Sequence, residues 1–334
     1  MPLKKNEKSK SKKGMNTLPF YIVIAVVFVL FIYFQSSRYI SSILGIALFM
    51  IIIVVIIIEL LNGVKEEGVT KNIIEIIIAV FVVLALWFGL RFFLHTNNPI
   101  DIVPSCSMLP NLKRGDLIVL HGVTNISEVK APIINISKAD YNTMQKNIKS
   151  EFLSCVAYNR TGNEIQVSQL IKPGYSVGLL SLSSTGGQIV NQQNQQNNLI
   201  KYACGAQQIQ YSNGTTASEA YTTSVTINGT TLNGDRNNTI VVYQTIPQDY
   251  FYQLGDSYIV HRVYAVLNVS GVYYILTKGD NNPGLDMQYG NYPVNLTYIQ
   301  GKELLSIPYL GYIKLVLSNS FSEPSGCNST VLDN

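Results

Sequence analysis

Three long apolar runs open the chain, Pro19 to Phe34, Tyr39 to Leu61 and Ile73 to Leu94, and beyond Asn97 they give way to short alternating stretches. Each run approaches the ~17–25 residues with which a helix crosses a hydrocarbon core, so the pattern predicts three transmembrane helices. A cleavable leader is the competing account of the first run. Its apolar core exceeds the ~7–15 residues of such a leader, two more runs follow it, and Gln35-Ser36-Ser37-Arg38 does not look like a cleavage site. Glu59, Glu75 and Arg91 fall near run ends, where long side chains reach an interface.

After Asn97 the alternation of Val, Ile, Tyr and Thr with polar positions, punctuated by Gly, Asn and Pro, predicts a β-rich region. Leu117 to Leu120, Thr239 to Gln244, Tyr258 to Leu267, Val272 to Thr277 and Leu310 to Leu317 are the strand candidates, and Ala139 to Cys155 is the best helix candidate. Between about Thr124 and Asn238 the pattern loosens into an insertion. Within it Tyr175 to Leu182 and Tyr221 to Ile227 suit strands, and the Gln/Asn run Asn191 to Asn198 suits a flexible surface loop, since nothing in it can build a core. The organisation is therefore a tail (1–17), three membrane helices (18–96), a core split between 97–123 and 239–320, an inserted accessory region (124–238) and a C-terminal tail (321–334).

Charge gives this layout an orientation. Only 13% of residues are charged and the net charge is +4, but Lys4, Lys5, Lys8, Lys10, Lys12 and Lys13 stand against Glu7 alone, a tail of net +5 that leaves the rest at about −1. A lysine tail can bind nucleic acid; ahead of an apolar run it reads instead as a cytoplasmic anchor, with no nucleic-acid partner expected. Three crossings then make a multi-pass protein of the cell membrane, in contact with the lipid bilayer, with its N-terminus cytoplasmic and its β-rich part extracytoplasmic. The N-glycosylation acceptor pattern agrees: it recurs at Asn125, Asn135, Asn159, Asn213, Asn228, Asn237, Asn268, Asn295 and Asn328, and nowhere earlier. Four cysteines, Cys106, Cys155, Cys204 and Cys327, allow three complete pairings; Cys155 with Cys204, both inside the insertion, is the favoured one. No Cys/His spacing suggests a metal, and no cofactor site is apparent.

Candidate chemistry sits in three stretches. Pro104-Ser105-Cys106-Ser107-Met108-Leu109-Pro110, followed by Gly115-Asp116, is alone an ordinary surface turn ahead of a strand. Tyr258-Ile259-Val260-His261-Arg262-Val263 places a histidine in a strand, where structural histidines are common. Thr277-Lys278-Gly279-Asp280-Asn281-Asn282, with Asp286 six positions after Asp280, reads as a polar turn or a weak cation loop. Together, in this order and with 19 residues from His261 to Asp280, they resemble the sequence boxes of type I signal peptidases, the archaeal and endoplasmic-reticulum branch that carries His where bacterial members carry Lys. Thr239 to Tyr243, Gly301-Lys302 and Ile307-Pro308-Tyr309-Leu310-Gly311-Tyr312 resemble further strands of that family.

The resemblance implies a membrane-anchored, mainly β protein: three N-terminal transmembrane helices followed by a signal-peptidase-like β protease core with a large insertion. It implies a serine endopeptidase that removes signal peptides from exported preproteins, with small residues at −1 and −3 of the cut. Ser107 would be the nucleophile, Ser105 with Ser107 would form the oxyanion hole, and His261 would be the general base. Asp286 would orient and stabilise that base, and Asp280 would be a supporting carboxylate of the catalytic set. A serine hydroxyl needs such a base to take its proton during attack, and histidine titrates in the right range to do so. Cys106 departs from the family's usual Gly; its side chain narrows the approach to Ser107 or is itself a nucleophile. Lys278 is the candidate base under a lysine mechanism. Met108 and Leu109 pack in the core or seat the active-site edge in the lipid interface. The expected partners are preprotein signal peptides and, at one remove, the translocation machinery. The alternative is a non-catalytic, glycosylated surface or accessory protein that keeps the fold, favoured by Cys106 and the insertion.

Overall fold

The computed structural model describes residues 18–34, short helical stretches between 40 and 58, and residues 68–150, 152–158, 176–183, 186–190, 199–317, 324 and 326–332. The lysine tail, Glu59, the acceptor Asn159 and the Gln/Asn run at 191–198 lie outside the described residues. The chain divides into two compact units, Met1–Gly89 and Leu90–Asn334.

The first unit is helical. Helix α1 spans Leu18–Tyr33, with Pro19 in its first turn, where the missing N–H costs no helical hydrogen bond. Residues 50–58 are helical, and α2 runs from Gly68 to Phe93. Among the described residues no helix is long and apolar enough to cross a membrane, which overturns the three transmembrane helices expected from the apolar runs and, with them, the multi-pass cell-membrane placement with a cytoplasmic N-terminus. The 16 residues of α1 rise ~24 Å against the ~30 Å of a hydrocarbon core. Within the second run the described residues 50–58 form continuous helix, and α2, of 26 residues, includes Lys71, Glu75 and Arg91.

The second unit is mainly β. Its largest sheet has eight strands: β1 (Ile100–Ile102), β2 (Leu117–His121), β14 (Ile299–Ile307), β10 (Ile240–Gln244), β11 (Tyr258–Val269), β12 (Val272–Lys278) and β13 (Val294–Asn295) in that order, all antiparallel, with β3 (Ile133–Ile136) parallel to one end of β11. A second sheet orders β15 (Ser329–Val331), β7 (Ile200–Tyr211), β8 (Thr216–Ile227) and β9 (Thr230–Asn233), and a third orders β4 (Phe152–Tyr158), β5 (Ser176–Ser183) and β6 (Gly186–Val190). The strand candidates at 117, 239, 258, 272, 175 and 221 thus correspond to strands, each within a few residues, while β3 draws part of the insertion into the main sheet.

Burial explains why β10 reads as an unbroken apolar run. Ile240 and Val242 pack with Val103, Met108, Leu112, Ile118, Leu120 and Val260, whereas Val241 and Tyr243 pack on the other face with Val263, Val266 and Ile275. A strand covered on both faces loses its polar alternation.

Two elements differ from expectation. The helix candidate 139–155 ends early: α3 spans Lys138–Ser150, started by Ser137, whose Oγ accepts from the Asp140 N–H at 3.1 Å, and buries Tyr141, Met144 and Ile148 on one face. Cys155 lies on strand β4. The strand candidate 310–317 is instead the short helix α5 (Tyr312–Leu317); earlier in the chain come the short helix α4 (Tyr250–Gln253) and a 3-10 turn that carries Asp286 (Asp286–Tyr289). The first turn of α5 closes through Leu315 N–H to the Gly311 carbonyl, and Leu315 is its buried residue, four positions from a buried glycine. A short apolar run carries no period long enough to separate the two forms. Of the acceptor asparagines, Asn125, Asn135, Asn213, Asn228, Asn237 and Asn328 are exposed, and Asn268 and Asn295 are partly buried.

Candidate active site

Ser107 stands in the turn between β1 and β2. Met108, fully buried with Val103, Leu112, Ile118 and Leu120, anchors that turn in the core, and Leu109 is 9% exposed. Both are core residues, so the lipid-interface reading of this pair does not hold. The Gly115-Asp116 pair that follows is structural. Gly115 has φ +84° and lies where a Cβ would meet the Tyr312 ring at 2.2 Å. The buried Asp116 carboxylate accepts from the N–H groups of Lys113 and Tyr309, at 2.8 and 3.3 Å.

His261 reaches Ser107 from β11. Its Nε2 lies 2.9 Å from Ser107 Oγ, and its Nδ1 lies 2.7 Å from Asp286 Oδ2. Both His261 and Asp286 are almost wholly buried. Oδ2 also accepts from Thr277 Oγ1 at 2.6 Å and from Tyr243 Oη at 2.9 Å. Burial pushes the Asp286 carboxyl up, but the facing His261 and the hydrogen bonds from His261, Thr277 and Tyr243 pull it further, to a net position below the ordinary carboxylate range. An ionised carboxylate only accepts, so Nδ1 carries the proton and Nε2 is left to accept from the Ser107 hydroxyl.

Strand register makes this convergence. Val241 faces His261 across β10 and β11, Tyr243 faces Ile259, and Val263 faces Thr277 across β11 and β12. Because side chains alternate with period two, Tyr243, His261 and Thr277 all project from the same face of the sheet, toward the turn that carries Asp286. Tyr243 and Thr277 were not singled out as site residues from the sequence. Their types are unremarkable in strands, and the signal is their shared parity with His261, which requires the register.

Asp280 does not join this line. Its carboxylate holds Arg262 through two bonds, Nε to Oδ1 at 2.8 Å and Nη2 to Oδ2 at 2.7 Å, and accepts from Asn111 Nδ2 at 2.7 Å. The residues around Asp280 hold the Ser107 backbone instead: the Asn281 N–H donates to the Ser107 carbonyl at 2.8 Å, and a Cβ on Gly279 would lie 2.7 Å from that same oxygen.

The remaining candidates fall as follows. Ser105 Oγ lies 3.2 Å from Ser107 Oγ, within reach of whatever Ser107 attacks. Cys106 is disulfide-bonded to Cys327 and so has no thiol to act as a nucleophile; Cys155 pairs with Cys204. Lys278 turns its amine to the Gly279 carbonyl at 3.1 Å, and burial pushes it down to about 8 against the pull of Asp280 and Asp286. The base hydrogen-bonded to Ser107 is His261. His95 and His121 lie beside each other, ring centroids 5.6 Å apart.

A hydroxyl bonded to an imidazole that is bonded to a buried carboxylate can pass its proton to the imidazole as it attacks an acyl carbon, and the imidazolium that forms is held by the carboxylate. Comparison with protein-family models, curated proteins and solved structures returns no match.

Proposed function

We propose that this protein is a serine endopeptidase of the signal peptidase type, cutting signal peptides from preproteins. The observation that carries the reading is the line Ser107 Oγ, His261 Nε2, His261 Nδ1, Asp286 Oδ2, with steps of 2.9 and 2.7 Å across its two hydrogen bonds. Three sequence boxes 154 and 25 residues apart supply it, in the order in which the resemblance assigns nucleophile, base and carboxylate.

In the proposed reaction Ser107 Oγ adds to the scissile carbonyl while His261 Nε2 takes the hydroxyl proton, and Asp286 stabilises the imidazolium. His261 then gives that proton to the departing amine, leaving an acyl-enzyme on Ser107. Water, deprotonated by the same nitrogen, releases the new carboxyl end. Ser105 Oγ and the Ser107 N–H are assigned to the oxyanion, following the resemblance. Small residues at −1 and −3 would be selected by steric exclusion of larger ones.

The cysteine beside Ser107 is tied into a disulfide and so does not compete with Ser107 as a nucleophile. The test is cleavage of a preprotein by the wild-type chain and by Ser107→Ala and His261→Ala. Mature product from wild type alone supports the reading; cleavage by Ser107→Ala at the wild-type rate, or none by wild type, ends it.

A further inference from the structure

The segment Cys327–Val331 is fastened to the turn of the proposed nucleophile by two separate routes. Cys327 is bonded to Cys106, the residue immediately before Ser107. Strand β15 is gripped by the Asn281 side chain, whose Nδ2 donates to the Ser329 carbonyl at 2.9 Å and whose Oδ1 accepts from the Val331 N–H at 2.9 Å. The backbone N–H of this same Asn281 donates to the Ser107 carbonyl at 2.8 Å. One residue therefore joins the C-terminal strand to the nucleophile, and the disulfide closes the circuit on the other side of Ser107.

This circuit is anchored away from the catalytic line. β15 pairs with β7, with Ser329 opposite Tyr211 and Val331 opposite Ile209, and the Ser212 N–H donates to the Asn328 carbonyl at 2.8 Å. The sheet that β7 and β8 form in the inserted region also reaches the turn before Asp286: the Thr222 N–H donates to the Pro283 carbonyl at 2.8 Å, and Thr222 Oγ1 to Gln288 Oε1 at 3.0 Å. The inserted sheet thus braces both ends of the line, the carboxylate through Pro283 and Gln288 on either side of Asp286 and the serine through β15.

We propose that Cys327–Val331 is a positioning clamp for Ser107, closed by the Cys106–Cys327 disulfide and opened by a dithiol, which makes turnover at this site redox-dependent. The proposal rests on the serine endopeptidase reading given above. Opening is a two-electron exchange: the dithiol's sulfurs become a disulfide, its two hydrogens pass to Cys106 and Cys327, and the S–S bond between them is broken. The S–S link across 221 positions then no longer ties the Ser107 turn to β15, and the Asn281 hydrogen bonds still join the two. Asn281 and Cys327 are positioning residues, acting on the serine's placement and not on the reacting atoms.

A misplacement of ~1 Å costs up to ~10²-fold in rate, so loss of the clamp is expected to lower kcat about 10- to 100-fold and to leave KM within about twofold, because the peptide-binding surface is unchanged. The experiment compares oxidised wild type, wild type treated with dithiothreitol, Cys327→Ser, and Cys155→Ser/Cys204→Ser. Its readouts are kcat and KM for a preprotein peptide, labelling of Ser107 by a fluorophosphonate, and hydrogen exchange at the Asn281 amide. The expected result is a drop in kcat and faster Asn281 exchange on reduction and in Cys327→Ser alike, with dithiol sensitivity kept when only Cys155 and Cys204 are replaced. The proposal is overturned if Cys327→Ser or the reduced protein keeps wild-type kcat and slow Asn281 exchange, or if sensitivity disappears with the Cys155–Cys204 pair. Should Cys327→Ser fail to fold, reduction of the folded wild type decides. Should oxidised wild type neither cleave nor label, the endopeptidase reading fails, and the exchange measurement still decides whether the clamp exists.

Discussion

Asp286→Asn removes the charge behind His261 while keeping its shape. Oδ2 accepts from His261, Thr277 and Tyr243, whereas Oδ1 is buried with no hydrogen-bond partner. An asparagine fits this asymmetry in one orientation, with its oxygen in the Oδ2 position keeping all three donors and its nitrogen in the Oδ1 position. His261 therefore keeps the proton on Nδ1, and the tautomer that lets Nε2 accept from Ser107 survives. What disappears is the attraction between carboxylate and imidazolium, which exists only after the Ser107 proton has moved. Two unit charges ~4 Å apart at an effective dielectric of ~20 attract by ~4 kcal/mol, and at ~1.4 kcal/mol per decade that is ~10³ in rate. Because the charge develops in the transition state, the loss should fall on kcat with KM near wild type. Steady-state cleavage of a preprotein peptide, with fluorophosphonate labelling of Ser107 as a second readout, measures it. A kcat within about tenfold of wild type would refute the electrostatic reasoning, and a loss nearer ~10⁴ would mean that the tautomer had flipped after all.

The same carboxylate sets a stability prediction: its folded value lies below its unfolded one, so it stabilises the fold above the unfolded pKa of ~3.9 and that contribution is lost as pH falls through the folded value; acid unfolding followed by circular dichroism should show a shallower loss below pH ~4 in Asp286→Asn. Asp280→Asn should behave in the opposite way to Asp286→Asn at pH 7. By breaking one side of the nearly buried pair with Arg262 it should cost ~3–5 kcal/mol in denaturant unfolding while kcat of the folded protein changes less than about tenfold. Gly279→Ala pushes a Cβ to 2.7 Å from the Ser107 carbonyl, and should lower kcat by ~10²-fold in the same peptide assay with the chain still folded. Lys278 is lowered to about 8, so between about pH 8 and ~10.4 the unfolded chain holds more protons than the folded one and stability due to this group rises with pH. Lys278→Met should therefore raise Tm at pH 7, with the gain shrinking as pH approaches ~10.5; an equal gain at both ends would show that burial of the amine is not the cause.

The local pattern located β2, β10, β11 and β12 and, within the insertion, β5 and part of β8, whereas β7 and most of β14 were not among the strand candidates. Ser107, His261 and Asp286 could be picked out because the chemistry restricts residue type and the boxes keep a fixed order. Two local patterns misled. The apolar runs at 19–34, 39–61 and 73–94 have the composition of membrane helices, but among the described residues no helix is long and apolar enough to cross a membrane. The run at 310–317 is too short for its period to tell helix from strand, and the close approach of Gly311 to the Gly115-Asp116 backbone turns the chain there.

Tertiary structure alone decided the rest, because it depends on which strands pair and in what register. The sequence resemblance set Asp286 behind His261 and made Asp280 a supporting carboxylate; the fold sends Asp280 to Arg262, away from His261. The parity that brings Tyr243 and Thr277 to Asp286 exists only once β10, β11 and β12 are in register. Four cysteines allowed three complete pairings, and the choice of Cys106 with Cys327 needed two segments 221 positions apart to meet beside Ser107. Residue types, order and local period are written along the chain, whereas contacts across long sequence separations are fixed by packing, and the line Ser107–His261–Asp286 is made of such contacts.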